Sequence, residues 1–219
     1  MLCGSDAGMA DFLFNGPENA AVTILLAHGA GGAMDSASMT AIAEALAVEG
    51  LRIVRFEFSY MAARRSGLRK PPPWAETLIP EYQAAIDQLD AKGKLIIGGK
   101  SMGGRIASMI ADDLYAEHRI AGLVCLGYPF HPIGKPEQLR TAHLADMKTP
   151  MLIVQGTRDP FGTSDEVATY TLSKAIDILW LPDGDHDLKP RQRVSGFTAK
   201  DHLRTMAERV AAWSRALSA

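Results

Sequence analysis

Gly99-Lys100-Ser101-Met102-Gly103 matches G-x-S-x-G, a pattern that presents a serine hydroxyl at the tip of a strand just before a helix begins. Small residues flank the serine because a tight strand-to-helix turn leaves no room for side chains. A serine hydroxyl attacks a carbonyl when a base takes its proton and an acid orients that base, so an Asp and then a His should follow downstream. Asp159 lies in Gly156-Thr157-Arg158-Asp159-Pro160 and His186 in Asp183-Gly184-Asp185-His186-Asp187, giving the chain order Ser, Asp, His. Asp183, Asp185 and Asp187 crowd the histidine in sequence, and position after a strand favours Asp159 as the acid that bonds its imidazole. The developing oxyanion needs donors, and two backbone amides are expected to supply them: Met102 N–H at the helix start and Ala30 N–H in His28-Gly29-Ala30-Gly31-Gly32. His28 is read as a residue that shapes this loop.

Other chemistry fits the same residues poorly. Gly99-Lys100-Ser101 resembles the end of a phosphate-binding G-x-x-x-x-G-K-[ST] loop, but Lys94 stands where its first glycine belongs. Met34 likewise occupies the third glycine position of a dinucleotide-binding G-x-G-x-x-G. The acidic turn at Asp183 fails as a calcium loop, with Leu188 at the turn glycine and Val194 at the bidentate acid. No cofactor and no metal are therefore expected.

These residues need a frame that brings strand ends together. Apolar runs of strand length alternate with amphipathic runs of helix length, which predicts an α/β fold: a mostly parallel central sheet of about six to seven strands with helices on both faces. The strand candidates are Ala21 to Ala27, Leu51 to Phe58, Lys94 to Gly98, Ile120 to Gly127, Met151 to Gln155 and Ile176 to Leu181, with Phe12 to Asn15 as a possible edge strand. Met39, Ile42, Ala43 and Leu46 fall at helical spacing, as do Ile79, Tyr82, Ile86 and Leu89, and Ile106, Met109 and Ile110. Arg105 to Leu114 reads as the helix after the serine. Leu203, Met206, Val210, Trp213 and Leu217 form a last helical stripe. Met61 to Pro73 and Tyr128 to Pro150 read as loops, the second with room for one short helix, and both follow strand carboxyl ends, where ligands bind in such sheets. Tyr60, Met61 and Phe130 are expected to line the mouth of the site. Arg64, Arg65, Arg69 and Lys70, with Lys100 or His131, are candidates to hold an anionic part of a substrate.

Composition narrows the setting. The chain has 219 residues, 47% hydrophobic and 22% charged, with 23 Lys and Arg against 25 Asp and Glu, so disorder is excluded and no basic block suggests nucleic acid. Residues 1–10 are expected to be disordered and 11–219 to form one domain. Cys3 and Cys125, the two cysteines, are read as free thiols in a reducing compartment. The start lacks the features of a signal peptide, and no apolar run has membrane-spanning length, so the expectation is a cytoplasmic protein, monomeric or weakly self-associating, without membrane or nucleic-acid partners.

GGKSMGGR, HGAGG, GTRDP and DGDHDL, in this order and spacing, resemble the α/β-hydrolase superfamily and, within it, the small capless dienelactone hydrolase-like group. The likeness runs from Ala21 to Ser218. It implies Ser101 as nucleophile, Asp159 as acid, His186 as base, and Ala30 with Met102 as oxyanion hole. Dienelactone hydrolases proper carry a cysteine nucleophile, so serine here implies hydrolysis of a small ester or thioester rather than lactone opening. The competing expectation is a catalytically silent domain of the same fold, used for binding or as a scaffold.

Overall fold

A computed structural model describes residues 10–68 and 71–217. Cys3, Arg69, Lys70 and the expected disorder of residues 1–9 lie outside the described residues. Ala10 is held at both backbone groups by the Gln88 side chain, at 2.7 and 2.8 Å.

In chain order the elements are β1 (Phe12–Asn15), β2 (Val22–Ala27), α1 (Ala37–Val48), β3 (Arg52–Phe56), α2 (Ser59–Arg65), a 3-10 turn (Ala75–Leu78), α3 (Ile79–Gln88), β4 (Lys94–Lys100) and α4 (Met102–Ala116). There follow β5 (Gly122–Leu126), a 3-10 turn (Ala142–Leu144), β6 (Met151–Gly156), α5 (Ser164–Val167), β7 (Ile176–Leu181), α6 (Gln192–Ser195) and α7 (Ala199–Ala216). Among the described residues seven strands form one sheet in the order β1-β3-β2-β4-β5-β6-β7; β1 is antiparallel at the edge and every other pairing is parallel.

Strand side chains alternate between faces, and the two faces bury different helices. Leu25, Val54, Phe56, Ile97, Leu123 and Ile153 pack against α3 and α4 through Tyr82, Ile86, Ile106 and Ile110. Ile24, Leu26, Ile53, Ile96, Val124 and Leu152 pack against α1 and α7 through Met39, Leu46, Met206, Val210 and Trp213. Because both faces are covered, the inner strands read as unbroken apolar runs rather than alternating ones.

The segment Met61 to Pro73, expected as a loop, begins inside α2. Tyr60 and Met61 are buried and supply the apolar side that lets this short helix dock. The segment after β5 contains the one short 3-10 turn at Ala142–Leu144 and is otherwise irregular. Among the described residues nothing forms a separate cap over the carboxyl edge of the sheet, and no helix is long and apolar enough to cross a membrane.

Candidate active site

β4 ends at Lys100 and α4 starts at Met102, so Ser101 alone makes the turn, with φ 51° and ψ −117°. A non-glycine residue with positive φ is strained, and such strain persists where the surroundings enforce it. Gly99 and Gly103 let the turn close: a Cβ on Gly99 would lie 2.5 Å from the Ala27 carbonyl oxygen, and one on Gly103 would lie 2.6 Å from the carbonyl oxygens of Ala27 and His28. Ser101 N–H donates to Leu126 O at 3.0 Å, fixing the turn to β5.

Asp159 follows β6 and His186 follows β7, so strand order brings both beside the serine. Ser101 Oγ lies 2.8 Å from His186 Nε2, and His186 Nδ1 lies 2.8 Å from Asp159 Oδ2. A carboxylate facing Nδ1 places the ring proton there, leaving Nε2 to accept from the serine hydroxyl. The three nearer acids are engaged elsewhere. Asp183 pairs with Arg191 and Arg158, and hydrogen bonds from Arg191 first of all hold its pKa down at about 2. Asp185 accepts from the backbone of Asp187 and Lys189, each at 2.9 Å, and Asp187 faces Lys100 at 3.4 Å.

Asp159 is fully buried, and each of its oxygens has a further donor besides the imidazole: Gln155 Nε2 at 3.0 Å to Oδ2 and Phe161 N–H at 2.9 Å to Oδ1. Gln155 also accepts from Tyr128 N–H at 2.7 Å and donates to Tyr128 O at 3.2 Å, so it couples the acid to the end of β5. Phe161 packs its ring on His186, centroids 4.3 Å apart. Lys100 is buried and donates to His186 O at 2.7 Å; burial first of all lowers its pKa. Gln155 and Phe161 are not among the site residues expected from the sequence. A glutamine inside the apolar strand MLIVQG is itself a signal, because a buried amide demands partners.

The loop between β2 and α1 is equally fixed. Phe58 N–H donates to His28 Nε2 at 3.1 Å and His28 Nδ1 donates to Gly29 O at 2.7 Å, while burial lowers the pKa of this imidazole. Tyr60 OH donates to Ala30 O at 3.1 Å. Among the described residues the N–H groups of Ala30 and Met102 have no hydrogen-bond partner. The N–H of Met102 opens α4 and so lacks an intrahelical acceptor by construction.

Several expected mouth and substrate residues sit elsewhere. Phe130 is fully buried, edge-on to Tyr128 at 4.9 Å, and so belongs to the core beneath the site rather than to its mouth. Met61 and Tyr60 are buried too, and Tyr60 holds the glycine-rich loop. His131 is buried, with Nδ1 on Pro132 O at 2.9 Å and Nε2 3.6 Å from Glu166. Arg65 is consumed as a clamp: it bonds both oxygens of Asp35 and both of Glu57 at 2.7 to 3.0 Å, and Glu57 in turn accepts from Met34 N–H at 3.1 Å. Arg64 lies over the Tyr60 ring, 5.6 Å from its centroid.

A family model described as an alpha/beta hydrolase domain matches residues 20–215. The chain belongs to the α/β-hydrolase family. Solved structures of the same fold include a dienelactone hydrolase from Anabaena variabilis, 21% identical with a TM-score of 0.72, the alignment covering 96% of this chain and 93% of that one. An α/β serine hydrolase without lid from Xanthomonas campestris is 19% identical at a TM-score of 0.65, covering 96% and 90%. Est1E from Butyrivibrio proteoclasticus, solved with ferulic acid bound, is 17% identical at 0.64, covering 92% and 96%. At these identities the likeness is one of fold. Within this α/β-hydrolase a surface cavity of about 590 Å³, lined by Gly93, Leu95, Tyr115 and Ile120 among others, lies at the amino ends of the strands, opposite the serine.

Proposed function

We propose that this protein is a serine hydrolase that cleaves a small carboxylic ester or thioester through an acyl-enzyme. The observation that carries the reading is the unbroken chain from Ser101 Oγ to His186 to Asp159, two hydrogen bonds of 2.8 Å each, beside two unused backbone donors. His186 Nε2 takes the Ser101 proton as Oγ bonds to the substrate carbonyl carbon. The carbonyl oxygen becomes an oxyanion held by the N–H groups of Ala30 and Met102. Collapse of that intermediate breaks the bond to the leaving group, which receives the proton from His186. Water then repeats the sequence: it gives a proton to His186, attacks the acyl carbon and releases the acid, and Ser101 regains its proton. Asp159 keeps the Nδ1 tautomer and offsets the imidazolium charge throughout, while Gln155 and Phe161 keep Asp159 aimed.

Fluorophosphonate labelling tests the assignment, because the probe bonds a serine oxygen only when a base activates it. Wild type should label and Ser101→Ala should not. Equal labelling of both would remove Ser101 as nucleophile, and labelling of neither would favour a silent binding domain of the same fold. Turnover of short-chain p-nitrophenyl esters should fall by about 10⁶-fold in Ser101→Ala, the scale at which loss of the nucleophile leaves only binding and oxyanion stabilisation.

A further inference from the structure

Arg105 lies one turn into α4, and its N–H donates to Ser101 O at 3.0 Å, so it stands about 6 Å along the helix axis from the nucleophile. Helical side chains lean toward the helix amino terminus, which turns Arg105 back toward the end of the sheet that carries Ser101. There Nη2 donates to Glu76 at 2.8 Å, while Nε is buried without a hydrogen-bond partner.

Arg140 comes to the same place from the segment after β5. Its N–H donates to Phe130 O at 2.7 Å and its carbonyl accepts from Tyr128 OH at 3.0 Å. That hydroxyl lies 3.5 Å from Ser108 Oγ, which donates to Arg105 O at 2.7 Å. Two adjacent hydroxyls, each donating to one arginine's carbonyl, thus stand between the backbones of Arg105 and Arg140. Among the described residues the Arg140 guanidinium makes no hydrogen bond or ion pair, although the residue is only partly exposed. Burial, and then the charge of Arg105, hold its pKa below the ordinary guanidinium value. His143, 2.8 Å from Ser108 Oγ, adds no third charge near neutrality, because burial and Arg105 lower its pKa. Glu76 is the acid whose charge reaches Arg140, and it already pairs with Arg105; Asp112, the acid that acts on His143, is taken up by Lys148 N–H and by Thr149, so the two guanidinium groups share one carboxylate.

Buried cations are ordinarily paired, and a half-buried guanidinium without a protein partner beside a like charge keeps its donors open to an anion. One added anion would balance the cluster and use the idle donor fork of Arg140, which matches a carboxylate two bonds at a time. We infer that Arg105 and Arg140 form a subsite for a carboxylate carried by the substrate, a few bonds from the carbonyl that Ser101 attacks. This rests on the reading of Ser101 as nucleophile, and it moves anion recognition from the α2 segment, where Arg65 is already taken by Asp35 and Glu57, to α4 and the segment after β5.

The test pairs mono-p-nitrophenyl succinate with p-nitrophenyl valerate, which has a neutral chain of similar length. Arg140→Met should lower kcat/KM for the succinate ester at least tenfold, mainly through KM, and leave the valerate within twofold; Arg140→Lys should restore part of the loss. Equal falls on both esters, or none on either, would overturn the subsite. Fluorophosphonate labelling of the same variants keeps the two readings apart: a labelled protein that ignores the carboxylate loses only the subsite. Calorimetric titration with succinate itself covers the remaining case. Binding at least tenfold weaker to Arg140→Met supports the subsite even if Ser101 proves unreactive, and equal binding overturns it.

Discussion

Ser101 is held mainly by its neighbours in sequence and by backbone contact, whereas His186 is held by side chains up to 86 positions away. At Ser101, Gly99 and Gly103 let α4 press against the carbonyls of Ala27 and His28, and the positive φ of the serine accompanies that closeness. At His186, the turn from Asp183 to Leu188, itself entered and left with positive φ, is pinned through its carbonyls. Arg158 donates to Asp183 O at 2.7 Å and Lys189 O at 3.1 Å, Lys100 to His186 O at 2.7 Å, and His202 to Leu188 O at 2.9 Å. Steric placement tolerates no added atom, while placement by directed hydrogen bonds can loosen without unfolding. Damage to the first region should therefore appear as lost stability, and damage to the second increasingly as lost rate.

Gly103→Ala attacks the steric side. Its Cβ would stand 2.6 Å from two backbone oxygens, neither on a flexible side chain, so the expected destabilisation is about 3 kcal/mol, read as a lower urea midpoint. A variant as stable as wild type would break the distinction at its root. Gln155→Leu attacks the acid, with an intermediate outcome expected. The apolar side chain fills the same space but strips partners from Tyr128 N–H, Tyr128 O and Asp159 Oδ2, for a cost of about 2 kcal/mol. Its kcat should fall while KM holds, because Asp159 loses a donor that aims it; unchanged kcat with full stability would mean Asp159 needs no such support.

The same contrast explains what could be read from the chain. Ser101, its glycines and the strand before it are contiguous, and the apolar runs at Val22–Ala27, Lys94–Lys100 and Met151–Gly156 declare a sheet buried on both faces without help from distant residues. Chain order alone put Asp159 and His186 at neighbouring strand ends. What stayed hidden was pairing at long range. Arg65 in an arginine-rich segment looks like an anion site until Asp35 and Glu57 are seen around it, and Phe130 beside a proline-rich loop looks exposed until Tyr128 and Tyr170 enclose it. Lys100 sits inside the very motif that declares the serine, yet nothing nearby in sequence says that its ammonium points at the carbonyl of His186.

Lys100 belongs to both regions and offers the finest test of the contrast. Lys100→Met keeps the elbow glycines but removes the donor to His186 O, so the prediction is a kcat about tenfold lower, roughly 1.4 kcal/mol in the barrier, at unchanged KM. Stability should respond in the opposite sense to a simple loss of a bond. Burial lowers the folded-state pKa of Lys100 from the ordinary 10.5, so between the two values the unfolded chain binds a proton that the folded chain does not. Wild-type stability from this group therefore rises with pH across that window and levels off above 10.5. The methionine variant lacks the titration, so the gap between the two urea midpoints should move in favour of wild type as alkaline pH is approached. A gap that stays flat would mean the ammonium is not desolvated in the folded protein, and a tenfold kcat loss would then have to come from geometry at the His186 carbonyl alone.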